Sequence, residues 1–280
     1  MTHLFCFGLG FSAQALARRL ASSGWQVSAT SRSGEGLSAI DAMGYRAVRF
    51  ESTLRIPDDV THIVASAPPD GDGDPVLRLC GDALRHTSSI TWIAYLSTTG
   101  VYGDHGGGWV SEESPLTPNT ERGARRLAAE RQWLALPLPS HVFRLAGIYG
   151  PGRNQLLTVL DGTARRIIKP GQIFSRIHVD DIAATLNASI ASPNPGRAYS
   201  VCDDEPCPPQ DVIAYAAELL GMPAPPDIAF EDAVLSPMAR SFYADSKRVS
   251  NRRIKQELGV ELAYPTYREG LKALLKNLPR

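Results

Sequence analysis

Residues 3–13 read HLFCFGLGFSA, and this stretch decides the fold. An apolar, β-rich run leads directly into Gly8, Gly10 and Ala13, which form a G-x-G-x-x-A pattern, and the helix-like segment SAQALARRLASSG overlaps its end. A strand, a glycine turn and a helix in this order predict a turn that binds a dinucleotide pyrophosphate. The first glycine permits the tight turn, the second lets the phosphates approach the backbone, and the alanine allows close packing of helix on strand.

The alternation of strand and helix patterns continues outward from this turn. Apolar β-rich runs alternate with helical patterns as far as TWIAYLST (91–98), and more strands are predicted in HVFRLAGIYG (141–150) and around RAYSVCD (197–203). This predicts an α/β fold of the Rossmann type, a doubly wound parallel sheet with helices on both faces. We expect residues 1–148 to form an NAD(P)-binding Rossmann domain, with its sheet completed by residues 177–203. The Pro/Gly-rich residues 149–280 are expected to form mainly a small C-terminal substrate-binding lobe.

The end of the second predicted strand bears on the choice of dinucleotide. Sites for NAD usually place an Asp or Glu there to bind the ribose 2′-hydroxyl, whereas this chain reads VSATSRS (27–33). Because Ser31 and Arg32 suit a 2′-phosphate, we expect NADP(H) to be preferred, with NAD(H) as the alternative. Arg32 is otherwise a solvated loop residue. The other residues expected to contact the cofactor are Phe11, Ser12, Ser66 and Ala67.

Composition excludes several classes of function. Lys+Arg and Asp+Glu both number 29, so no basic excess favours nucleic acid or an anionic membrane as a partner. The four cysteines and six histidines form no metal-ligand spacing or disulfide framework, so we expect no metal and a cytoplasmic location. No apolar run is long enough to span a membrane. The expected partner is a small-molecule substrate, and a homodimer is compatible with the sequence.

Three motifs follow the glycine turn in order: YLSTTGVYG (95–103), FRLAGIYGPGRN (143–154) and IHVDDIA (177–183). With ADSKRVSNRRIKQELGVEL (244–262), they make the chain resemble the extended and atypical short-chain dehydrogenase/reductases of the NAD-dependent epimerase/dehydratase group. The resemblance covers essentially the whole chain, and it is greatest to the YeeZ-like branch. It implies an oxidoreductase or epimerase with a catalytic Ser or Thr, a tyrosine and a lysine.

The catalytic positions implied by this resemblance are only partly kept. Thr98 lies at the Ser/Thr position, where its hydroxyl would bind a substrate oxygen; alternatively, it caps backbone at a strand end. The tyrosine and lysine positions hold Arg122 and Arg126, whose guanidinium groups do not exchange protons near neutral pH. Arg126 is expected to replace the ribose contacts of the lysine, and Arg122 to polarise a carbonyl or bind an anion.

The alternative for both arginines is a solvated helix surface, with the i,i+4 pairs Glu121–Arg125 and Arg126–Glu130. With no tyrosine at position 122, the proton would come from water or from another side chain. The nearest candidates in the motifs are Tyr102, which completes the expected catalytic set with Thr98, Arg122 and Arg126, and His105 and Tyr149.

Two further departures concern the substrate. Members of the family that act on nucleotide sugars carry an asparagine and an arginine where this chain has Gly147 and Phe174, so a nucleotide-sugar substrate is disfavoured. His178 is expected to pair with an aspartate and tie a loop to a helix rather than to take part in catalysis. Candidate anion contacts from the small lobe are Arg153, Lys169, Arg176 and Arg240.

Three functions are compatible with these residues. The first is an NADPH-dependent oxidoreductase or epimerase/isomerase acting on a small carbonyl or hydroxyl compound. The second is a catalytically inactive NADP(H)-binding sensor or regulatory protein, which the missing tyrosine permits. The third, a conventional sugar epimerase, is the least favoured, because its nucleotide contacts are missing.

Overall fold

The protein is described by a computed structural model that covers residues 2–278. The strands are β1 (His3–Phe7), β2 (Gln26–Ser31), β3 (Arg46–Arg49), β4 (His62–Ala65), β5 (Trp92–Thr98), β6 (Trp109–Val110), β7 (Ser140–Leu145), β8 (Gly147–Tyr149), β9 (Arg166–Ile168), β10 (Arg176–His178), β11 (Ala198–Val201), β12 (Asp227–Ala229) and β13 (Arg248–Val249). The helices are α1 (Phe11–Ala21), α2 (Gly34–Ala42), α3 (Pro75–Arg85), α4 (Glu121–Leu134), α5 (Gln155–Leu160), α6 (Val179–Ala191), α7 (Pro209–Leu219), α8 (Pro237–Phe242), α9 (Arg252–Leu258) and α10 (Tyr267–Lys276).

Seven of these strands form one parallel sheet in the order β11-β7-β5-β4-β1-β2-β3. Its central strands are buried over their length because helices cover both faces, which explains their continuous apolar sequences. Helices α1 and α6 pack together on one face, and α3 and α4 cover the other. The predicted Rossmann-type doubly wound fold is confirmed.

The strand order reverses between β1 and β4, which lie side by side while their outgoing connections run to opposite edges of the sheet. A crevice opens at such a point outside the carboxyl ends of the strands, and ligands of doubly wound sheets bind there. The glycine turn after β1, the end of β4 and the end of β5 all lie at this edge. The topology therefore places the glycine turn, Ser66 and Thr98 along one side of the sheet.

The remaining strands form short pairs, β8 with β10, β9 with β12 and β6 with β13. A separate apolar cluster holds α5, α7 and α10 together through residues that include Leu156, Val212 and Leu271, and we call these helices together with β8–β10, β12 and α8 the small lobe. Of the region expected to complete the sheet, β11 does lie at its edge, whereas β10 pairs only with β8. The division at residue 148 stays a prediction. No helix within residues 2–278 has the length and apolarity to cross a membrane.

Candidate functional site

The glycine turn adopts the conformation that its sequence requires. Gly8 has a φ of +82°, a value that side chains disfavour, and a Cβ there would lie 3.1 Å from the Ser66 hydroxyl oxygen. The turn is held from both neighbouring strands. The Gly8 amide donates to Thr30 Oγ1 at 2.9 Å, and Ser66 Oγ donates to the Gly8 carbonyl at 2.8 Å. Ser66 thus holds the turn from the end of β4.

Gly10 caps α1, and its surroundings suit a phosphate. No side chain accepts a hydrogen bond at this helix start, and no acidic residue lies in the first turn. The first amides of α1 therefore keep their donors and the positive end of the helix dipole for an anion. A Cβ on Gly10 would meet no protein atom within 4 Å. The residues present thus fit the pyrophosphate of a dinucleotide.

Two arginines lie near the end of β2, the expected Arg32 and Arg49 of the neighbouring strand β3. Arg32 is exposed just beyond the strand, and Arg49 Nη1 donates to its carbonyl oxygen at 3.0 Å. Arg49 ends β3 and lies directly opposite Ser31 in the sheet register. Arg49 was not among the residues expected from the sequence. The sequence places Arg49 at the carboxyl end of the strand that follows β2. That this strand lies next to β2 is known only from the order of strands in the sheet.

A cavity of about 700 Å³ opens beside α1, between the carboxyl edge of the sheet and the small lobe. From the sheet side it is lined by residues of the glycine turn, β5 and α4, and from the lobe side by residues around β8, β10 and α8. The expected residues that line it are Gly10, Phe11, Ser12, Ala13, Ser66, Thr98, Arg122, Arg126, Tyr149, Arg153 and Arg176. Gly8, Ser31, Arg32 and Ala67 lie outside this lining, at the glycine turn and beyond it.

Thr98 combines both roles that its sequence position allowed. Its hydroxyl oxygen accepts from the Gly100 amide at 3.1 Å and so caps the 3-10 turn Thr99–Tyr102. The same side chain lines the cavity. A hydroxyl that accepts one hydrogen bond still has its own proton to donate. Thr98 is therefore positioned by the turn and can donate to an oxygen in the cavity.

Tyr102 lies in the protein interior, away from the cavity. Its side chain is fully buried, and its hydroxyl contacts Ser200 Oγ at 2.7 Å and accepts from Arg144 Nη1 at 3.1 Å. Burial raises the pKa of Tyr102, against the opposing charge of Arg144. The structure thus does not bring Tyr102 together with Thr98, Arg122 and Arg126. His105 also lies outside the lining, where its ring contacts the Tyr102 carbonyl oxygen at 3.2 Å.

Arg126 lines the cavity from α4, and its anchors differ from the helix pair that the sequence suggested. Its Nη1 donates to the Leu96 carbonyl at 2.8 Å and to the Tyr95 hydroxyl at 3.2 Å. Glu130, the expected i,i+4 partner, is buried and bonds to Arg144 and Ser97 instead. The Arg126–Glu130 pair of the solvated-surface alternative therefore does not form. The Glu121–Arg125 pair does form, on the exposed side of the helix.

Arg122 lies one turn earlier on α4, at the mouth of the cavity. Its guanidinium carbon lies 5.7 Å from the centre of the Phe242 ring on α8. Partial burial, followed by the charges of Arg126 and Arg153, lowers the pKa of Arg122. Arg153, from the turn after β8, lines the same cavity. Two elements remote in sequence therefore bring their positive charges together.

Of the four candidate cations of the small lobe, three are bound by protein groups. Arg176 donates to the Phe174 carbonyl, Lys169 to the Tyr243 carbonyl and Arg240 to the Ala233 carbonyl. Arg153 has no such acceptor within residues 2–278. His178 caps α6 by accepting from the Asp180 amide at 3.2 Å, and its Nδ1 lies 3.6 Å from the Asp180 carboxylate. His178 thus contacts an aspartate at a helix start, as expected, but through the backbone amide of Asp180 rather than through its carboxylate.

The sheet order and the glycine turn define a Rossmann-type fold, and known proteins similar to this chain share it. No family model matches the chain. Protein YeeZ of Escherichia coli (strain K12) is 29% identical over 290 residues, which cover 92% of this chain and 94% of that protein. A 3-diazoavenalumate denitrifying reductase of Streptomyces sp. is 26% identical over 79% of this chain and 72% of that protein.

Solved structures extend the comparison. A conserved protein of unknown function from Silicibacter pomeroyi is 55% identical, with a TM-score of 0.94 over 99% of both chains. The human epimerase family protein SDR39U1, solved with NADPH, shares the fold at 18% identity and a TM-score of 0.78, over 99% of this chain and 100% of that chain. Over most of its length the chain is thus similar to protein YeeZ, and it shares its fold with proteins of the epimerase/dehydratase group.

Proposed function

We propose that this protein is an NADPH-dependent oxidoreductase or epimerase/isomerase that acts on a small carbonyl or hydroxyl compound. One observation carries the proposal: a single cavity joins the open helix start at Gly10 to Thr98 and Arg126 on the sheet edge. A dinucleotide held at α1 would extend along this edge, and it would supply hydride transfer when bound.

The chain's own residues would orient the reactants. The Thr98 hydroxyl is positioned to donate to the substrate oxygen, since Gly100 already occupies one of its acceptor sites. Arg126 is held through Nη1, which leaves its other guanidinium donors for the cofactor ribose. Neither arginine exchanges a proton near neutral pH. We therefore assign the proton to water that enters at the mouth of the cavity.

The preference for NADPH rests on Arg32 and Arg49 at the end of β2. Titration of the protein with NADPH and NADH should show tighter binding of NADPH, and Arg32→Asp or Arg49→Gln should reduce that preference by about tenfold, the effect of one charge-assisted hydrogen bond. Arg46→Gln is the matched control, because Arg46 begins β3 and lies at the opposite end of the strand. Equal binding of the two cofactors by the wild type would remove the role of both arginines.

Gly10→Val tests the site itself. The backbone of Gly10 suits any residue and a Cβ there meets no protein atom, so the variant should fold normally. The valine side chain would occupy the space of the pyrophosphate, and binding of both cofactors should be lost. Unchanged binding in a folded Gly10→Val variant would place the dinucleotide elsewhere.

The second candidate is an NADP(H)-binding sensor without turnover. It is favoured by the interior position of Tyr102, which removes a tyrosine of the motif from the cavity. Incubation with NADPH deuterated at the transferable position and a metabolite extract separates the two functions. Deuterium appearing in a product supports the enzyme, and cofactor binding without transfer supports the sensor.

A further inference from the structure

Among residues 2–278, Arg122 and Arg153 are the cations of the cavity lining that no protein acceptor holds, charged or neutral. Within residues 2–278, neither guanidinium has a carboxylate partner or a hydrogen-bond acceptor. Arg126 beside them is anchored to Leu96, and Lys247, also in the lining, pairs with Asp245 at 2.9 Å. Asp245 is the one acidic residue of the cavity wall in the described part of the chain. The cavity therefore carries an excess of positive charge at its mouth.

Several arginines elsewhere in the described part of the chain are paired with carboxylates instead. Arg78, Arg125, Arg144, Arg166, Arg197, Arg253 and Arg268 all form ion pairs with carboxylates. At the cavity, Arg126 and Arg153 act on Arg122 with like charge. Like charges in a partly enclosed space repel one another, and a bound anion relieves the repulsion. The guanidinium group is also the side chain best suited to two parallel hydrogen bonds with an oxyanion.

The wall next to this pair is apolar and aromatic. Phe174 and Tyr243 meet edge to face with their ring centres 5.6 Å apart, and Phe242 lies under the Arg122 guanidinium. Ile167, Ile173, Ile213 and Leu235 extend the apolar lining. The small lobe thus provides an apolar surface, beside the two arginines, on which the hydrophobic part of a ligand can pack.

We propose that Arg122 and Arg153 together bind an oxyanion of the substrate, a carboxylate or a phosphate ester, whose apolar body packs against Phe174, Phe242 and Tyr243. This rests on the proposed function, because it names the substrate class of that same cavity. The two arginines come from α4 and from the turn after β8, so the anion also bridges the sheet edge and the small lobe. Thr98 then faces the oxygen of the substrate that reacts.

The test uses three small probes: 3-phenylpropanoate, phenyl phosphate and the neutral 3-phenylpropanamide. Their binding is measured calorimetrically, with and without saturating NADPH. At least one of the two anions should bind about tenfold or more tightly than the amide. The anion that binds more tightly shows whether the site prefers a carboxylate or a phosphate ester. Arg122→Gln and Arg153→Gln should each weaken the anion by about tenfold and leave the amide unchanged. Arg125→Gln, on the same helix but paired with Glu121 at the surface, is the control.

Three results would overturn the proposal: equal binding of amide and anions, anion binding that survives both substitutions, or a loss of NADPH affinity in both variants. The last result would assign the arginines to the phosphates of the cofactor. Failure of the proposed function gives a different pattern, because a wild-type protein that does not bind NADPH still reports on the anion in the titrations without cofactor.

Discussion

Helix α4 contributes to two clusters of charge that differ in how they are satisfied. On its inward side, Glu130 and Arg144 are nearly fully buried, and Arg144 donates to the carboxylate through Nε and Nη2, the latter at 2.9 Å. Burial opposes the charge of Arg144, but its contacts with Glu130 outweigh that effect and raise its pKa. On the cavity side, Arg122 faces other cations without a carboxylate. The buried ion pair of Glu130 and Arg144 stabilises the fold, whereas the unpaired charge of Arg122 at the cavity can bind an anionic ligand.

The largest expected effect comes from breaking the inward cluster. Glu130→Gln preserves the shape but leaves the Arg144 charge buried without a counter-charge, which should lower the free energy of unfolding by about 3–5 kcal/mol. Urea denaturation checks this. Glu121→Gln removes the exposed partner of Arg125 and should cost only a few tenths of a kcal/mol. Similar losses in the two variants would contradict the comparison.

A smaller effect is expected at Asp203, a buried carboxyl that is only half satisfied. Its Oδ1 accepts from the Glu205 amide, while its Oδ2 has no hydrogen-bond partner among the described residues. Burial, opposed by the charge of Arg176, raises the pKa of Asp203 from 3.8 to about 8. Between pH 4 and pH 8, roughly the two pKa values, the Asp203 carboxyl has lost its proton in the unfolded chain but keeps it in the folded protein. The free energy of unfolding therefore falls as the pH rises through this range.

Asp203→Asn removes this titration. The variant should match the wild type near pH 4.5 and exceed its stability at pH 8 by about 1–3 kcal/mol, since the fully shifted pKa sets only an upper limit. Unfolding curves at the two pH values measure the difference. A stability difference that does not change with pH would show that Asp203 is ionised in the folded protein.

The smallest effect on stability is expected on the cavity side. Arg122→Gln removes a charge that the protein does not pair, so stability should stay within about 0.5 kcal/mol of the wild type or rise slightly. Thermal unfolding without ligands measures it, with Arg125→Gln as the control on the same helix. A loss above about 2 kcal/mol would mean that Arg122 serves the fold, and the contrast between the two clusters would disappear.

The sequence patterns predicted best where the chemistry is local. Gly8, Gly10 and Ala13 lie within one turn, and their spacing alone describes how the backbone bends and where an anion meets amides. The position of Thr98 could also be predicted from the sequence, because it lies at the end of a strand and caps the turn that follows. The pairing of Arg126 with Glu130, expected under the alternative of a solvated helix surface, does not form. Helical spacing brings the two near each other, but Arg144 from β7 offers Glu130 a buried and better partner.

Residues that meet through space could not be placed from their own surroundings. Tyr102 looked available for proton transfer because it follows Thr98 closely, yet its hydroxyl meets Ser200, on the edge strand of the sheet. Arg49 joins Arg32 only because β3 lies next to β2. Arg153 reaches the vicinity of Arg122 only because the small lobe closes over the sheet edge. Neither hydrophobic periodicity nor a sequence motif predicts the distances between these residues.

The sequence by itself determined the doubly wound sheet, the position of the glycine turn and the absence of a titratable side chain at positions 122 and 126. These follow from hydrophobic periodicity, backbone conformation and side-chain chemistry, which act over a few residues. The tertiary structure alone decided which charges are paired and which remain free, because burial and Coulomb interactions depend on distance in space. That is why Arg144 became part of the core while Arg122 and Arg153 came to face the cavity.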